Sequence, residues 1–264
     1  MDKKNQLNIS VFSYNIFWKI MVEPSPLANS LGKEQIDMLK SNILTNILGV
    51  KNYYNPFFYC FQEAENNSLI TKLFEPNQYD CYVGISKPEH ILTIWQKKFF
   101  SAKLIIDGEF EPGRPFSIFV FKDLRFKIEF VLINIHAGHH HNTLETIFEP
   151  IQKSIDKNKK KFKKFDIKRI LISGDFNRDI GSQIIAEPDK YTLKINLSTY
   201  KFFPFKSNNK TCCSLEGYGY NKNCDQIIDS MCEPILTHQL NKEPWYNPKS
   251  SDHVAILSVV KNFI

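Results

Sequence analysis

Short apolar runs separated by turn residues constrain the fold of this chain more than any other feature. The runs with the length and composition of β-strands lie at residues 7–15, 57–61, 79–86, 90–96, 102–110, 116–121, 126–135, 170–172, 226–229 and 254–260. Two segments, 33–49 and 143–161, place apolar residues at helical spacing instead. Several of the strands are separated by turn residues alone, which favours antiparallel pairing. The pattern therefore predicts a mixed α/β fold with much antiparallel sheet.

The second predicted helix carries signals at its start and in its interior. Ile147, Ile151 and Ile155 form one apolar stripe, and Asn142 is placed to cap the first turn. Pro150 lies inside this stretch, so we expect a kink or a late start. A long polar segment, 179–224, follows the next strand.

Nothing in the sequence divides the chain into parts. The 264 residues contain no internal repeat, no Gly/Ser linker and no sharp change of composition, so we expect one domain spanning 1–264. The hydrophobic share of 42% is enough for a sizeable core and excludes a disordered chain. No stretch approaches 18 uncharged apolar residues, so we expect no transmembrane segment. For the oligomeric state, we take a monomer as the default.

The positive charge of the chain is concentrated in one segment. The formal net charge is +6, which by itself favours an acidic partner such as nucleic acid. Residues 157–169, however, hold eight basic residues and one acidic residue, while the rest of the chain carries 26 basic and 27 acidic residues. Because this run lies between a helix and the start of a strand, we expect it at the far edge of the sheet, outside the substrate groove.

The N-terminus and the cysteines together predict the compartment. The first 15 residues contain no continuous apolar core of the kind that a signal peptide needs, so we expect an intracellular protein with reduced cysteines. Cys212 and Cys213 are adjacent and cannot readily bridge each other, so we expect them to be buried or loop thiols. No Cys-x-x-Cys pair occurs, which disfavours a zinc ribbon.

Carboxylate, amide and imidazole side chains recur where the predicted strands begin or end. They are Asn15, Glu63, His136, Asp175, Asn177, Asp225, Asp252 and His253. Strand ends are where open α/β scaffolds expose their sites. Hydrolysis of a phosphodiester needs a hard cation on oxygen ligands, an activated water and groups that stabilise the developing negative charge. This set can supply all three, so it predicts metal-dependent phosphoester hydrolysis.

Taken in chain order, six blocks around these residues resemble the endonuclease/exonuclease/phosphatase superfamily, the DNase I-like metal-dependent phosphoesterases. The blocks are SYN at 13–15, FQE at 61–63, INIH at 133–136, SGDFN at 173–177, CDQI at 224–227 and SSDH at 250–253. Their order and spacing over essentially the whole chain carry the resemblance. It implies a four-layer α/β/β/α sandwich, in which two mixed, largely antiparallel sheets lie face to face with helices outside.

The resemblance also implies which residues bind the metal and the attacking water. Glu63 matches the principal ligand of Mg²⁺ or Mn²⁺, and Asp252 matches a further carboxylate close to the metal. Asn15 would orient the metal ligand or the phosphate. Asp175 and Asn177 match the pair that binds the water and holds the scissile phosphate.

A second group of residues would contact the phosphate and move protons. His253 would act as base or as imidazolium, with Asp225 as its carboxylate partner. The resemblance leaves open whether Asp175 or His253 takes the proton of the water. His136 would donate a proton to the leaving oxygen or to a phosphate oxygen, and Arg114 would contact the phosphate.

Three further histidines, at 139–141, follow His136 closely, and we expect them to form a polar loop over the site. A histidine at position 136 departs from abasic-site endonucleases, which commonly carry tyrosine there. Gln226 after Cys224-Asp225 departs from inositol-polyphosphate 5-phosphatases, and GDFNRD at 174–179 is one residue shorter than the corresponding tyrosyl-DNA phosphodiesterase block.

We therefore expect an endonuclease or exonuclease with DNA or RNA as substrate. One alternative is a phosphatase or phosphodiesterase for a small phosphorylated molecule, a phospholipid headgroup or a cyclic dinucleotide. Another is a non-catalytic binding protein on the same fold.

Overall fold

Two mixed β-sheets form the centre of the structure. The computed structural model describes residues 8–86, 89–139, 144–204, 210–212, 223–232, 235–247 and 250–261. The strands of the two sheets are β1 (Ile9–Asn15), β2 (Phe58–Gln62), β3 (Tyr79–Ser86), β4 (Glu89–Gln96), β5 (Phe100–Glu109), β6 (Pro115–Asp123), β7 (Ile128–His136), β8 (Ile167–Asp175), β11 (Asp225–Asp229), β12 (Leu236–Gln239) and β13 (Ile256–Val260). One sheet has six strands in the order β12-β13-β1-β2-β4-β3, and the other has five in the order β11-β8-β7-β6-β5.

The helices and a small hairpin complete the described elements. The helices are α1 (Trp18–Met21), α2 (Ala28–Leu31), α3 (Lys33–Tyr53), α4 (Asn67–Thr71), α5 (Glu145–Lys157), α6 (Lys159–Phe162) and α7 (Gly181–Ala186), with a 3-10 turn at Leu240–Lys242. The hairpin joins β9 (Thr192–Ile195) to β10 (Ser198–Lys201). No helix among the described ranges is both long enough and apolar enough to cross a membrane.

Three apolar clusters separate the layers. The cluster between the two sheets is rich in aromatic rings, with Phe58 packed edge-on against Phe121 and Phe130. The outer face of the six-stranded sheet is covered by α3, whose buried side chains recur at helical spacing. The outer face of the five-stranded sheet is covered by α5 and the β9–β10 hairpin. This four-layer α/β/β/α arrangement confirms the predicted fold class.

Strand pairing brings the polar strand ends to one edge. In the parallel pair β1–β2, Asn15 is opposite Gln62, which places Glu63 one residue further along. In the parallel pair β7–β8, His136 is opposite Asp175, and the antiparallel strand β11 puts Asp225 opposite Asp175 from the other side. A buried bond from Gln62 Nε2 to Asn134 Oδ1, 2.8 Å, joins the two sheets just below this edge.

Several predicted elements differ from the observed ones. The strand predicted at 170–172 is nine residues long, because its start includes the buried Arg169, whose guanidinium is paired with Asp229. The polar segment 179–224 contains α7, β9 and β10. The second predicted helix is divided into α5 and α6, and α5 starts late, at Glu145, with Pro150 inside it. The predicted cap, Asn142, lies outside the described residues.

The cysteines correct one expectation. Cys212 and Cys224 form a disulfide, whereas we expected reduced thiols. The physical reason is that Thr211 Oγ1 accepts bonds from the backbone N–H of Cys224 at 3.0 Å and of Asp225 at 2.9 Å. These bonds hold the two cysteine Cα atoms 6.0 Å apart, within the range of a disulfide. Cys213 lies outside the described residues.

Candidate active site

Asn15 joins the carboxylates of the two sheets. Its fully buried side chain follows from its place as the last residue of the central strand β1. Asn15 Nδ2 donates to Glu63 Oε1 at 3.0 Å and to Asp175 Oδ2 at 2.9 Å, and Asn15 Oδ1 accepts from the backbone N–H of Phe17. One amide therefore fixes the separation of two acidic groups that would otherwise repel each other.

Glu63 is held in an unusual backbone conformation. It follows β2 directly and has φ of 57°, a left-handed conformation that residues other than glycine rarely adopt. The next residue, Ala64, donates its backbone N–H to the carbonyl of His90 at 2.8 Å, which holds the turn in place. Burial raises the pKa of Glu63 even though the charge of His136 acts in the opposite direction. A buried carboxylate of this kind is stabilised by a cation.

His253 and Asp225 form a buried pair beside Asp175. His253 Nδ1 donates to Asp225 Oδ2 at 2.8 Å, and His253 Nε2 lies 3.7 Å from Asp175 Oδ2. Burial acts to lower the pKa of His253, but the charges of Asp225 and Asp175 raise it well above its ordinary value. Burial raises the pKa of Asp225 to about 6, against the opposing charge of His253. The imidazole is therefore favoured in its charged form.

Asp175 is the carboxylate that faces both histidines. His136 Nε2 lies 3.5 Å from Asp175 Oδ2, so two imidazoles flank the same oxygen. Burial alone would raise the pKa of Asp175, but the charges of His253 and His136, together with the bond from Asn15, lower it. Asp175 therefore stays ionised at neutral pH.

Glu89 is a residue of the site that our sequence reasoning missed. Its carboxylate accepts from Arg114 Nη1 at 3.0 and 2.8 Å and lies 2.6 Å from His136 Nδ1. Arg114 Nη1 also lies 2.7 Å from His136 Nε2. Burial acts to lower the pKa of His136, but Glu89, Asp175 and Glu63 raise it. Glu89 stands at the start of β4, which runs antiparallel to β2, so its first residue reaches the edge where β2 ends.

The other predicted residues lie around this centre. Asn177 donates from Nδ2 to the Ala137 carbonyl at 2.5 Å and from its backbone N–H to Asp175 Oδ1 at 2.7 Å. Asp252 is less buried, with its Oδ1 4.0 Å from His253 Nε2. Ser251, a second residue that our reasoning did not single out, donates to the Asn15 carbonyl at 2.9 Å and accepts from the His253 backbone N–H at 3.1 Å.

The loop after β7 contributes one described histidine to the surroundings of the site. The pKa of His139 is lowered by burial and by the charge of Arg114, while Asp175 acts in the opposite direction. The exposed His139 thus lies within reach of the charges of Arg114 and Asp175, and the polar loop over the site stays a prediction. His140 and His141 lie outside the described residues.

In the part of the chain that the structure describes, two groups of side chains offer atoms close enough together to hold a metal ion. Glu63, Glu89 and His136 form one group, and Asp175, Asp225 and His253 form the other, with the ligand atoms of each group within 4.8 Å of one another. Asp225 Oδ1 is buried and has no hydrogen-bond partner among the described residues. The Glu63 side of the site, rich in carboxylate oxygen, fits a hard divalent cation, with Asn15 and Asp175 adjoining it.

Comparison with known proteins identifies the fold. No protein-family model and no curated protein sequence matches the chain. Among solved structures, ANGEL2, a 2′,3′-cyclic phosphatase, has a TM-score of 0.66 and 14% identity, over 96% of this chain and 95% of that one. An endonuclease/exonuclease/phosphatase family protein from Bacteroides thetaiotaomicron has a TM-score of 0.64 and 15% identity, over 97% and 96%. A mannosyl-6-phosphatase from the same organism has a TM-score of 0.62 and 16% identity, over 96% and 99%.

These likenesses extend over nearly the whole of each chain. The protein therefore has the fold of the endonuclease/exonuclease/phosphatase structures, which confirms the fold that the resemblance of the six sequence blocks implies.

Proposed function

We propose that the chain is a divalent-cation-dependent phosphoester hydrolase that cleaves phosphodiester bonds in nucleic acid. The observation that carries the proposal is the position of Asp175, an ionised carboxylate with an imidazole on each side and an amide donor from the opposite sheet. An acceptor for the proton of water and two cationic donors for a phosphate thus meet at one edge. The six blocks of the sequence supply every member of this group.

The pKa shifts of Asp175 and His253 support one of them as the proton acceptor. Because the pKa of Asp175 is lowered, its carboxylate is free at neutral pH to accept a proton from the attacking water. Because the pKa of His253 is raised well above its ordinary value, that imidazole is already protonated and stabilises negative charge on the phosphate instead. This division supports Asp175, and not His253, as the base.

The leaving oxygen needs a proton when the phosphorus–oxygen bond breaks. His136, whose pKa is raised by Glu89, Asp175 and Glu63 against the effect of burial, supplies that proton. Arg114, next to His136 Nε2, contacts a phosphate oxygen. Water thus loses one proton to Asp175, and the leaving group gains one from His136.

The cation is assigned to Glu63, with Asn15, Asp252 and Asp175 around it. When bound, Mg²⁺ or Mn²⁺ would neutralise charge on the phosphate and lower the pKa of coordinated water. Asn15 holds Glu63 and Asp175 in place for both the cation and the water.

A substrate panel tests the nucleic-acid assignment. The purified chain with Mg²⁺ or Mn²⁺ is incubated with supercoiled plasmid, single-stranded DNA, RNA, a 2′,3′-cyclic phosphate and a sugar monophosphate. We expect cleavage of at least one polynucleotide, and its loss in EDTA. Cleavage of the small phosphoesters alone would contradict a nuclease while leaving the phosphoesterase chemistry in place.

A small phosphorylated molecule is the second candidate substrate. It is supported by two phosphatases with the same fold, ANGEL2 and the bacterial mannosyl-6-phosphatase. Under this alternative, kcat/KM for the cyclic phosphate or the sugar phosphate would exceed that for every polynucleotide. Tight binding of substrate without turnover of any panel member would instead support a non-catalytic binding protein.

A further inference from the structure

Seven exposed lysines lie on α5, on and just after α6, and on strands β5 and β9, on the helical side of the five-stranded sheet. This lysine face consists of Lys103, Lys157, Lys159, Lys160, Lys163, Lys164 and Lys194. Three of them, Lys159, Lys163 and Lys194, line a groove of about 580 Å³ where α5 and α6 meet the β9–β10 hairpin. Lys159 and Lys163 of the basic segment 157–169 thus lie on one side of this groove.

The charge of the lysine face is poorly compensated. Within the described residues, no acidic side chain forms an ion pair with Lys157, Lys159, Lys160 or Lys163. Of the two adjoining acidic residues, Asp166 pairs with Lys168, whereas Asp156 lines the groove, accepts from the neutral amide of Gln152 and offsets one of the positive charges. Lys164 lies so close to Lys103 that its hydrogen bond and its charge lower the pKa of Lys103. Such a surface attracts an anionic partner.

An apolar side chain projects next to these lysines. Leu197 stands at the tip of the β9–β10 hairpin and is 103% exposed relative to a free residue. The tip is fixed, because Asn196 adopts φ of 56° and donates from Nδ2 to the carbonyls of Phe162 and Phe165, both at 3.3 Å. An exposed leucine beside lysines is typical of surfaces that lie at a lipid headgroup boundary.

We propose that the lysine face and Leu197 dock on a membrane surface rich in anionic phospholipid. Lysines contribute attraction to anionic headgroups, and a leucine contributes burial in the acyl boundary. Nucleic acid fits the face less well, because Phe162 is buried and Phe165 partly buried, so neither ring is free to stack on bases. The face also lacks an arginine, the residue best suited to bidentate phosphate contacts.

The docking surface and the candidate active site lie at different places along the sheet. The lysines at 157–164 precede Ile167, the first residue of β8, and Asp175 is the last residue of the same strand. A nine-residue strand at about 3.3 Å per residue separates its ends by about 26 Å. Docking through the lysine face therefore leaves the catalytic edge open to water.

Vesicle binding tests the proposal. The full chain is sedimented with phosphatidylcholine vesicles that contain about 30% phosphatidylserine, and with pure phosphatidylcholine vesicles, in low and high salt. We expect binding to the anionic vesicles only, weakened by salt. Replacing Lys157, Lys159, Lys160 and Lys163 by Gln should weaken binding at least about 50-fold. Leu197→Asn alone should weaken it about 5-fold.

A matched variant controls for net charge. Lys19, Lys33, Lys72 and Lys242 are exposed lysines elsewhere, and their replacement by Gln removes the same charge and should change binding less than about 3-fold. Circular dichroism establishes that each variant is folded. The proposal is wrong if the wild-type chain ignores anionic vesicles, or if both quadruple variants lose binding equally. It is also wrong if the lysine face binds an oligonucleotide and no vesicle.

Discussion

Buried charges define the site at the scale of single residues. Glu63, Asp175 and Asp225 are carboxylates with little exposure, and burying them without partners would be costly. Two imidazoles, His136 and His253, offset this cost by standing between the carboxylates. The residues that would perform the chemistry therefore also make one another's burial possible.

Asp225→Asn should change the pH dependence of the reaction. Asp225 raises the pKa of His253, so its neutral replacement lowers that pKa and the imidazolium is lost at a lower pH. We expect the alkaline limb of the kcat/KM profile to move to lower pH and the rate at pH 8 to fall at least about 10-fold. Asp37→Asn, at an exposed position of α3, is the matched control. An unmoved alkaline limb would show that Asp225 does not set the charge of His253.

Glu89→Gln should impair the His136 side of the site. The amide keeps the size of the side chain but removes the charge that pairs with Arg114 and raises the pKa of His136. We expect kcat/KM to fall about 10- to 100-fold, measured against Glu34→Gln at an exposed position of α3. Equal activity in the two variants would exclude a role for Glu89.

The sequence patterns predicted most residues of the candidate active site, but not Glu89. Asn15, Glu63, His136 and Asp175 follow strands whose apolar runs are plain in the sequence, so their edge could be predicted. Glu89 comes before its strand, and it reaches the same edge only because β4 is antiparallel to β2. That pairing depends on the whole sheet and is not visible in the local sequence.

At the scale of elements, the close pairing of β7 and β8 is what presents Asp175. Gly174 has φ of 147°, and a Cβ on this residue would lie 2.0 Å from the carbonyl oxygen of Ile135. Glycine is thus needed here for the close approach of two backbones directly before Asp175. In the SGDFN block, Gly174 is therefore needed for backbone packing, and Asp175 is the residue to which we give a chemical role.

Gly174→Ala should destabilise the fold far more than a second glycine substitution does. Its Cβ meets a backbone atom that cannot move aside, so we expect the free energy of unfolding to fall by at least about 3 kcal/mol. Gly32 also has a positive φ, 75°, with ψ of 157°, a conformation nearly confined to glycine, but nothing lies within 4 Å of a Cβ added there, so Gly32→Ala should cost about 1–2 kcal/mol. Urea unfolding of both variants measures the difference, and similar losses would contradict the steric explanation.

The strand bounds predicted from the sequence were wrong where a charged residue is buried, and a strand was missed where polar residues alternate with apolar ones. Arg169 is fully buried and donates from Nε to Asp229 Oδ1 at 2.6 Å, so a charged residue lies inside β8 and hides its start. In β9, Leu193 and Ile195 alternate with polar residues, a signal present in the sequence but short. The start of β8 depends on the long-range pair of Arg169 with Asp229, which the local sequence does not show. The β9 pattern is too short to be distinguished from a loop.

At the scale of the whole molecule, the fold places the lysines at 157–164 and the candidate active site at opposite ends of β8. The two sheets share one apolar interior, which supports the proposal that residues 1–264 form one domain. The lysine run precedes β8, whereas the carboxylates and imidazoles lie where β8 ends. The net charge therefore does not mark the candidate active site, whereas the polar strand ends do.

Catalysis should tolerate loss of the lysine face. The quadruple replacement of Lys157, Lys159, Lys160 and Lys163 by Gln removes charge near the start of β8 and leaves the carboxylates and imidazoles unchanged. We expect its kcat on a short soluble substrate to stay within about tenfold of the wild-type value, because screening weakens charges this far away. A larger loss would place the lysines in the substrate groove.

The rate of phosphoester hydrolysis by the metal-loaded chain tests the central claim most directly. With the best substrate of the panel and saturating Mg²⁺ or Mn²⁺, we expect Glu63→Gln and His253→Ala each to lower kcat at least about 100-fold, with Glu34→Gln unchanged. EDTA should abolish the wild-type rate, and added Mg²⁺ or Mn²⁺ should restore it. Hydrolysis that persists in EDTA, or that is equal in Glu63→Gln and wild type, would contradict a metal-dependent hydrolase at this site.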